Sequence, residues 1–348
     1  MDPSQPIRAG IIGLGKMGRL RARELARRGD VHLACGYDPE PQAFQKAWPR
    51  VPCLATAGDV IAADIDAVFV CTPNRFTPEM AIAALEAGKH VFAEKPPGRT
   101  VDDIRRIRAA EALHPGLKLA FGFNHRHHAG IQEAHRIASG GRLGHILWVR
   151  GIYGKAGGVD AWRADKELAG GGILLDQGIH LLDLVRMFLG DITEVKSMVT
   201  AALGDTPLED NAFALLRSEG GPIAQVHSSS TQWDHRFTFE IYLSRGYLAV
   251  NGILTHSRRY GDETLTIARR HGDKDPAGPP LEETMYFDED PSWAIEVDTF
   301  LTCVREGTPV ISGSSEQALK AMELVHAIYH GDDPFMASPA APQAPTNP

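Results

Sequence analysis

Three side chains suited to moving a proton stand in glycine- or proline-marked settings. Lys95 lies in Glu94-Lys-Pro-Pro97, and Asp176 and His180 lie in Gly170-Gly-Gly-Ile-Leu-Leu-Asp-Gln-Gly-Ile-His-Leu-Leu-Asp183. Lys95 follows an apolar run, and the proline after it favours extended geometry, so its ammonium is expected at a sheet rim. Beside a cationic ring, and partly desolvated, a lysine loses pKa and can hydrogen-bond a hydroxyl or help move its proton. Histidine is the side chain best matched to proton shuttling near neutral pH. On a helix Asp176, His180 and Asp183 fall at i, i+4 and i+7, so Asp176 is placed to orient His180 or bind a neighbouring hydroxyl. A solvated lysine and a helix-stabilising Asp–His pair are the plain alternatives for each motif taken alone.

A second chemistry is written in Gly13-x-Gly15-x-x-Gly18, which follows the apolar run Ile7 to Ile12 and opens a stretch of helical spacing. Strand, glycine turn and helix in that order make a dinucleotide site: Gly13 for the turn, Gly15 for backbone approach to a pyrophosphate, Gly18 for close packing. Lys16 and Met17 lie at the same helix start. Asp38 ends the next apolar run, Val31 to Tyr37, at the distance of an acid that binds the adenosine ribose. Its charge disfavours a 2′-phosphate, and no arginine follows it, so NAD is expected over NADP. Ligands of open α/β sheets bind beyond the strands' carboxyl ends, and Cys71-Thr-Pro-Asn74 lies at one of them. Thr72, Pro73 and Asn74 are therefore candidates for the nicotinamide half of the cofactor, although a plain proline turn reads equally well.

The first third alternates strand and helix patterns: strands at 7–12, 31–37, 67–71, 90–93 and 118–123, with a short one expected near 51–54, and helices at 16–28, 40–47, 58–63, 78–87 and 101–112. Repeated βα units specify a doubly wound parallel sheet. After Phe123 come helix 129–139, strand 146–153, helix 173–189 and strand-like segments at 193–202, 210–217, 222–230, 236–243, 246–250 and 264–269, which fit a large, mostly antiparallel sheet. Helices 292–306 and 315–330 follow. The expected organisation is a doubly wound dinucleotide-binding domain at 1–123, an α+β domain at 124–332, and a flexible tail at 333–348. A mobile loop is expected over 271–280.

Asn124 and His125, in Phe121-Gly-Phe-Asn-His-Arg126, should fall at the domain junction. His125, His127 and His128 lack a carboxylate or cysteine completing a ligand set, so no metal is expected. Lys155, Trp162 and Arg163 suit stacking and hydrogen bonding to a sugar-like substrate, while a loop-anchoring tryptophan fits as well. Gly178 and the run Gly170–Gly172 suggest close approach by a cofactor, a ligand or another backbone. A net charge of −8 argues against nucleic acid. The arginine-rich Arg19-Leu-Arg-Ala-Arg reads as a solvated face. Four cysteines without paired spacing read as reduced thiols. The N-terminus shows no signal-peptide pattern and no apolar run approaches a membrane span, so a cytoplasmic protein is expected.

Taken in order, Gly13-Leu-Gly-Lys-Met-Gly18, Glu94-Lys-Pro96, Gly122-Phe-Asn-His-Arg126 and, after a glycine triplet, Asp176-Gln-Gly-Ile-His180 resemble the glucose–fructose oxidoreductase / inositol dehydrogenase / MocA (Gfo/Idh/MocA) family over roughly residues 7–330. The resemblance implies a Rossmann domain at 1–123, a substrate-binding and oligomerisation domain at 124–332, Lys95, Asp176 and His180 as the catalytic set, and a cis peptide before Pro96. Asn124, His125 and Gln177 would face the substrate, and Glu94 would join the cofactor site. Trp162-Arg163 is similar to a pair in some sugar-oxidising members. Where this chain has His125, members often carry arginine. The implied activity is NAD-dependent oxidation of a secondary alcohol of a sugar, sugar derivative or cyclitol, in a homodimer or homotetramer joined through the C-terminal sheet. The rivals are a redox-neutral sugar-modifying enzyme with tightly held NAD and a non-catalytic NAD- or sugar-sensing module.

Overall fold

The computed structural model describes residues 5–157, 161–204, 206–255, 257–270 and 278–331. The tail expected from 333, and residues 271–277 of the expected loop, lie outside them. Among the described residues two compact units emerge: 5–127, 167–170 and 291–322 form one, and 128–166, 171–290 and 323–331 the other. A single cut in sequence order does not describe them, because the chain returns to the first unit after the second sheet is built.

In the first unit five parallel strands, β1 (Ile7–Ile12), β2 (Val31–Tyr37), β3 (Ala67–Val70), β4 (His90–Glu94) and β5 (Leu119–Gly122), lie in the order β2-β1-β3-β4-β5. The helices between them are α1 (Lys16–Ala26), α2 (Gln42–Ala47), α3 (Ala57–Ala62), α4 (Thr77–Glu86) and α5 (Val101–Leu113). Near 51–54 there is only an isolated bridge from Cys53 to Gly36, not a sixth strand. β3 is apolar and buried throughout, and β4 carries buried Val91, Phe92 and Ala93 between His90 and Glu94, as expected of strands inside a parallel sheet. Thr56 with Asp59 and Thr100 with Asp103 form capping boxes that start α3 and α5.

The helix Ser292–Glu306 belongs to this unit for a packing reason. It inserts Val297, Phe300, Leu301 and Val304 into the core formed by Ile7, Ile11, Phe69 and Phe92. The Phe300 ring meets Phe69 and Phe92 edge-on at 5.7 and 5.5 Å. Burying such a ring contributes about 3 kcal/mol.

The second unit carries an eight-stranded sheet. After α6 (Ala129–Ser139) come β6 (Ile146–Gly154), α7 (Lys166–Ala169, mostly counted with the first unit) and α8 (Ile179–Leu189). Then follow β7 (Ile192–Thr200), β8 (Asn211–Ser218), β9 (Ile223–Ser229), β10 (Arg236–Leu243), β11 (Gly246–Asn251), β12 (Glu263–Arg269) and β13 (Leu281–Phe287). The helix Ser292–Glu306 is α9, and α10 is Ser315–Tyr329. The strand order is β13-β12-β11-β10-β6-β9-β8-β7, and only β6 and β9 pair in parallel. β13 escaped the sequence reading because its Leu-Glu-Glu-Thr-Met-Tyr-Phe is largely exposed and does not alternate.

Lys166–Leu189 is long and apolar enough to cross a membrane by length and composition, which corrects the expectation of no such run, yet most of its apolar stretch is buried within the protein. Every residue from Ile179 to Val185 is buried, so α8 begins enclosed on all sides and carries no solvent-facing polar stripe.

Candidate active site

In the first unit the β1–α1 turn forms a phosphate cradle. Gly13 has φ +91°, and a Cβ there would stand 2.5 Å from the Cys71 carbonyl oxygen, so only glycine lets β1 turn beside the end of β3. A Cβ on Gly18 would overlap the Gly13 carbonyl. Gly15 differs, because nothing lies within 4 Å of where its Cβ would be. That open space sits at the start of α1, which has no acidic residue in its first turn and no side chain capping its N–H groups. Exposed Lys16 and half-buried Met17 occupy the first two helical positions. A backbone cradle and an uncapped positive helix end fit a dinucleotide pyrophosphate.

Asp38 stands just past β2 and is fixed in place. Its Oδ2 accepts from the Leu14 N–H at 2.7 Å and its Oδ1 from the Glu40 N–H at 2.9 Å. Past β3, the Pro73 carbonyl accepts from Phe76 N–H, and the Thr72 and Thr77 hydroxyls are 3.2 Å apart. Asn74 is buried, and its Nδ2 donates to the Ala169 carbonyl at 2.7 Å, so this amide braces α7.

Glu94 is engaged inside the unit: its Oε1 accepts from Arg21 Nε at 2.7 Å, and Arg21 Nη2 donates to Glu296 at 2.6 Å. Arg21 has no exposed surface, which corrects the reading of the arginine-rich stretch as solvated, although Arg23 is exposed. Arg21 lies three residues after Gly18 and four before Leu25, both buried, and that stripe could have revealed it. Burial alone would lower the guanidinium's pKa, but Glu94 and Glu296 outweigh it and hold the pKa above its ordinary value. Burial, reinforced by Glu94 and opposed by Arg21, pushes the Cys71 thiol well up, so Cys71 stays a neutral thiol. Lys95 follows directly, half-buried, and the Lys95–Pro96 peptide is cis.

Asn124 and His125 are both buried in a 3₁₀ turn, Asn124–His127. Asn124 Nδ2 donates to Ser292 Oγ at 3.0 Å, and its Oδ1 is 3.2 Å from His125 Nδ1, so the amide joins this turn to α9. His127 meets the Ser312 hydroxyl at 3.2 Å, while His128, in the second unit, meets Glu263 at 2.8 Å. The three histidines thus take different partners. Among the described residues no group of three or more His, Cys, Asp or Glu side chains could hold a metal.

In the second unit, Leu174–Gly178 forms a π-helical turn leading into α8, with the Ile179 N–H reaching back five residues to Leu174. Asp176 lies within this widened turn, and His180 follows in the first turn of α8. Asp176 receives two cations: Arg163 Nε at 3.1 Å and Lys155 Nζ at 3.9 Å, and Arg163 stacks on Trp162 at 4.3 Å. Gln177 Nε2 donates to the Tyr260 hydroxyl at 3.0 Å. His180 is buried, its ring centre 6.4 Å from that of Tyr153, which lies 5.2 Å from Tyr260. Burial, with Tyr260 and Asp176 adding to it, pushes the Tyr153 hydroxyl well above its ordinary pKa, so it remains a donor. The structure thus brings Lys155, Trp162, Arg163 and Asp176 together and adds Tyr153 and Tyr260, which no motif flagged.

The glycines in this stretch serve packing. A Cβ on Gly170 would strike Arg99, one on Gly171 the Tyr329 hydroxyl, and one on Gly172 the Glu209 carbonyl. At Gly178 it would strike Ser228 Oγ of β9. The close approach inferred from these glycines is real, but protein atoms make it.

Two family models match the chain. The one described as "Oxidoreductase family, NAD-binding Rossmann fold" covers residues 7–120, and the "GFO/IDH/MocA C-terminal domain" covers 131–249. D-glucoside 3-dehydrogenase of Escherichia coli is 34% identical over 54% of this chain and 55% of its own length. Inositol 2-dehydrogenase of Rhizobium meliloti is 27% identical over 92% of this chain and 95% of its own. Among solved structures, levoglucosan dehydrogenase in complex with NADH superposes with a TM-score of 0.82 at 24% identity, covering 93% of this chain and 96% of that one.

Proposed function

Because the chain belongs to the Gfo/Idh/MocA family of oxidoreductases, we propose that it is an NAD-dependent dehydrogenase acting on a secondary alcohol of a sugar, sugar derivative or cyclitol. The observation that carries this reading is the Gly13–Gly18 cradle with the fixed Asp38 carboxylate at the end of the adjoining strand. When bound, the nicotinamide supplies the hydride acceptor or donor. Gly13, Gly15, Lys16, Met17 and Gly18 hold the pyrophosphate, Asp38 the adenosine ribose, and Thr72 and Pro73 the nicotinamide half. Asp38 favours NAD over NADP because a carboxylate repels a 2′-phosphate.

His180 takes the hydroxyl proton during oxidation and returns it during reduction. Lys95 hydrogen-bonds the reacting oxygen. Asp176, flanked by Lys155 and Arg163, holds neighbouring hydroxyls, with Trp162 and Gln177 alongside. The full-length similarity to an inositol dehydrogenase and the partial similarity to a glucoside dehydrogenase support the polyol class.

The test is a screen of myo-inositol, methyl glucosides, uronates and sugar nucleotides for NAD reduction, with NADP in parallel. Lys95→Ala and His180→Ala are expected to cut turnover about 10²–10⁴-fold while NADH still binds. Near-normal turnover by both variants would end this assignment.

The open face of the eight-stranded sheet supports a homo-oligomer. Met198, Phe213 and Leu215 are 73%, 44% and 52% exposed there, and Trp148 stacks on Tyr242 at 3.8 Å. Light scattering is expected to give a dimer or tetramer that Phe213→Glu with Leu215→Glu dissociates.

A further inference from the structure

Arg21 is a fully buried cation that the mechanism above does not use. It sits on α1, whose start is the phosphate cradle. Its guanidinium reaches Glu94, the residue before Lys95, at 2.7 Å and Glu296 of α9 at 2.6 Å. The plane is held between rings, 4.4 Å from the Phe92 centre and 4.9 Å from Trp293. From the far side, Gly122 leaves room for the pair, since a Cβ there would stand 2.8 Å from Glu94 Oε2 and 3.0 Å from Arg21 Nη2. One carboxylate of this set is therefore fixed in position by donors, rings and the absence of a side chain.

We propose that Arg21 is a positioning residue for Lys95, acting through Glu94: the guanidinium clamps the end of β4 to the cradle helix and so sets where the Lys95 ammonium is presented. A flexible ammonium cannot replace it, because the two carboxylates are met by two N–H directions of one rigid plane. Misplacing a reacting group by about 1 Å can cost 10²-fold in rate without weakening ligand binding. The inference rests on the role given to Lys95, and the experiment separates the two.

Arg21→Lys, Gly122→Ala and Lys95→Ala are compared for NADH affinity by fluorescence titration, melting temperature, kcat with the alcohol turned over fastest in the screen, and the deuterium isotope effect on kcat. Gly122→Ala presses on the same pair while deleting no charge, so the test survives if the Arg21 variant folds poorly. The expected result is a kcat lower by about 10–10²-fold in both positional variants, with a larger isotope effect and NADH affinity within about threefold of the parent. Unchanged kcat and isotope effect, with only a lower melting temperature, would make Arg21 purely structural and overturn the proposal. Loss of NADH binding in step with kcat would overturn it too, by assigning Arg21 to the cradle instead. Should Lys95→Ala itself turn over normally, the reading of Lys95 fails, whatever the other two variants do.

Discussion

The Asp38 carboxylate accepts a 2.7 Å hydrogen bond from the Leu14 N–H, so the acid at the end of β2 is tied to the middle of the glycine turn. One side chain thus orders the phosphate loop and presents acceptors beside it. Replacing Asp38 with alanine removes both effects. The Michaelis constant for NAD is expected to rise by at least about tenfold while that for NADP rises less or falls, so initial rates with both cofactors check it. A proportional loss with both would show that Asp38 only orders the loop.

Gly15 and Gly18 lie three residues apart and should fail differently. A Cβ on Gly18 overlaps the Gly13 carbonyl, whereas one on Gly15 meets nothing within 4 Å. Gly18→Ala should therefore lose on the order of 2 kcal/mol of stability, visible in urea unfolding. Gly15→Ala should keep the parent's unfolding midpoint and lose NADH affinity, because its methyl enters the space a pyrophosphate needs. If Gly15→Ala bound NADH normally, the phosphates would lie elsewhere.

Glu209 accepts from three donors: Gly172 N–H at 2.8 Å, Leu174 N–H at 3.0 Å and the Tyr329 hydroxyl at 2.7 Å. Burial pushes its pKa up, against the lowering effect of those bonds. Glutamine has one acceptor oxygen and would aim an NH₂ at a donor, so Glu209→Gln should cost about 1–3 kcal/mol, more than the single lost bond of Tyr329→Phe. Because the π-helical turn with Asp176 begins at these amides, Glu209→Gln should also lower turnover. Equal denaturation midpoints for the two variants would contradict the donor count.

Legibility in the sequence followed the range of each interaction. The β1–turn–α1 unit was readable because strand, glycines and helix start are contiguous and their roles are backbone geometry. The strand count of the second sheet was nearly readable from alternation, and β13 was lost because, largely exposed, it does not alternate. Gly170, Gly171, Gly172 and Gly178 announced close contacts without naming the partner, since Arg99, Tyr329, Glu209 and Ser228 are distant in sequence. Arg21 looked solvated because its partners, Glu94 and Glu296, lie 73 and 275 residues away. Nothing local announces the π-helical turn before α8, Leu174–Gly178, which contains Asp176.

A pH test follows from His128 and Glu263, paired at 2.8 Å with side chains 2% and 1% exposed. Burial would raise the Glu263 pKa, but the His128 bond and charge, with the N–H groups of Gly130 and Leu254, outweigh it and hold it below the ordinary 4.5. A carboxylate whose folded pKa is depressed adds stability above its unfolded pKa and loses it as pH falls through the folded value. The parent should therefore lose unfolding free energy on acidification below about pH 4.5, the usual glutamate range. Glu263→Gln has no such charge to lose, so part of this acid limb should flatten. At neutral pH it should be less stable by about 1–3 kcal/mol, since an amide cannot replace the carboxylate for the Gly130 N–H, the Leu254 N–H and His128. Urea unfolding of both proteins between pH 3.5 and 7 checks this, and parallel acid limbs would show that the pair does not govern acid stability.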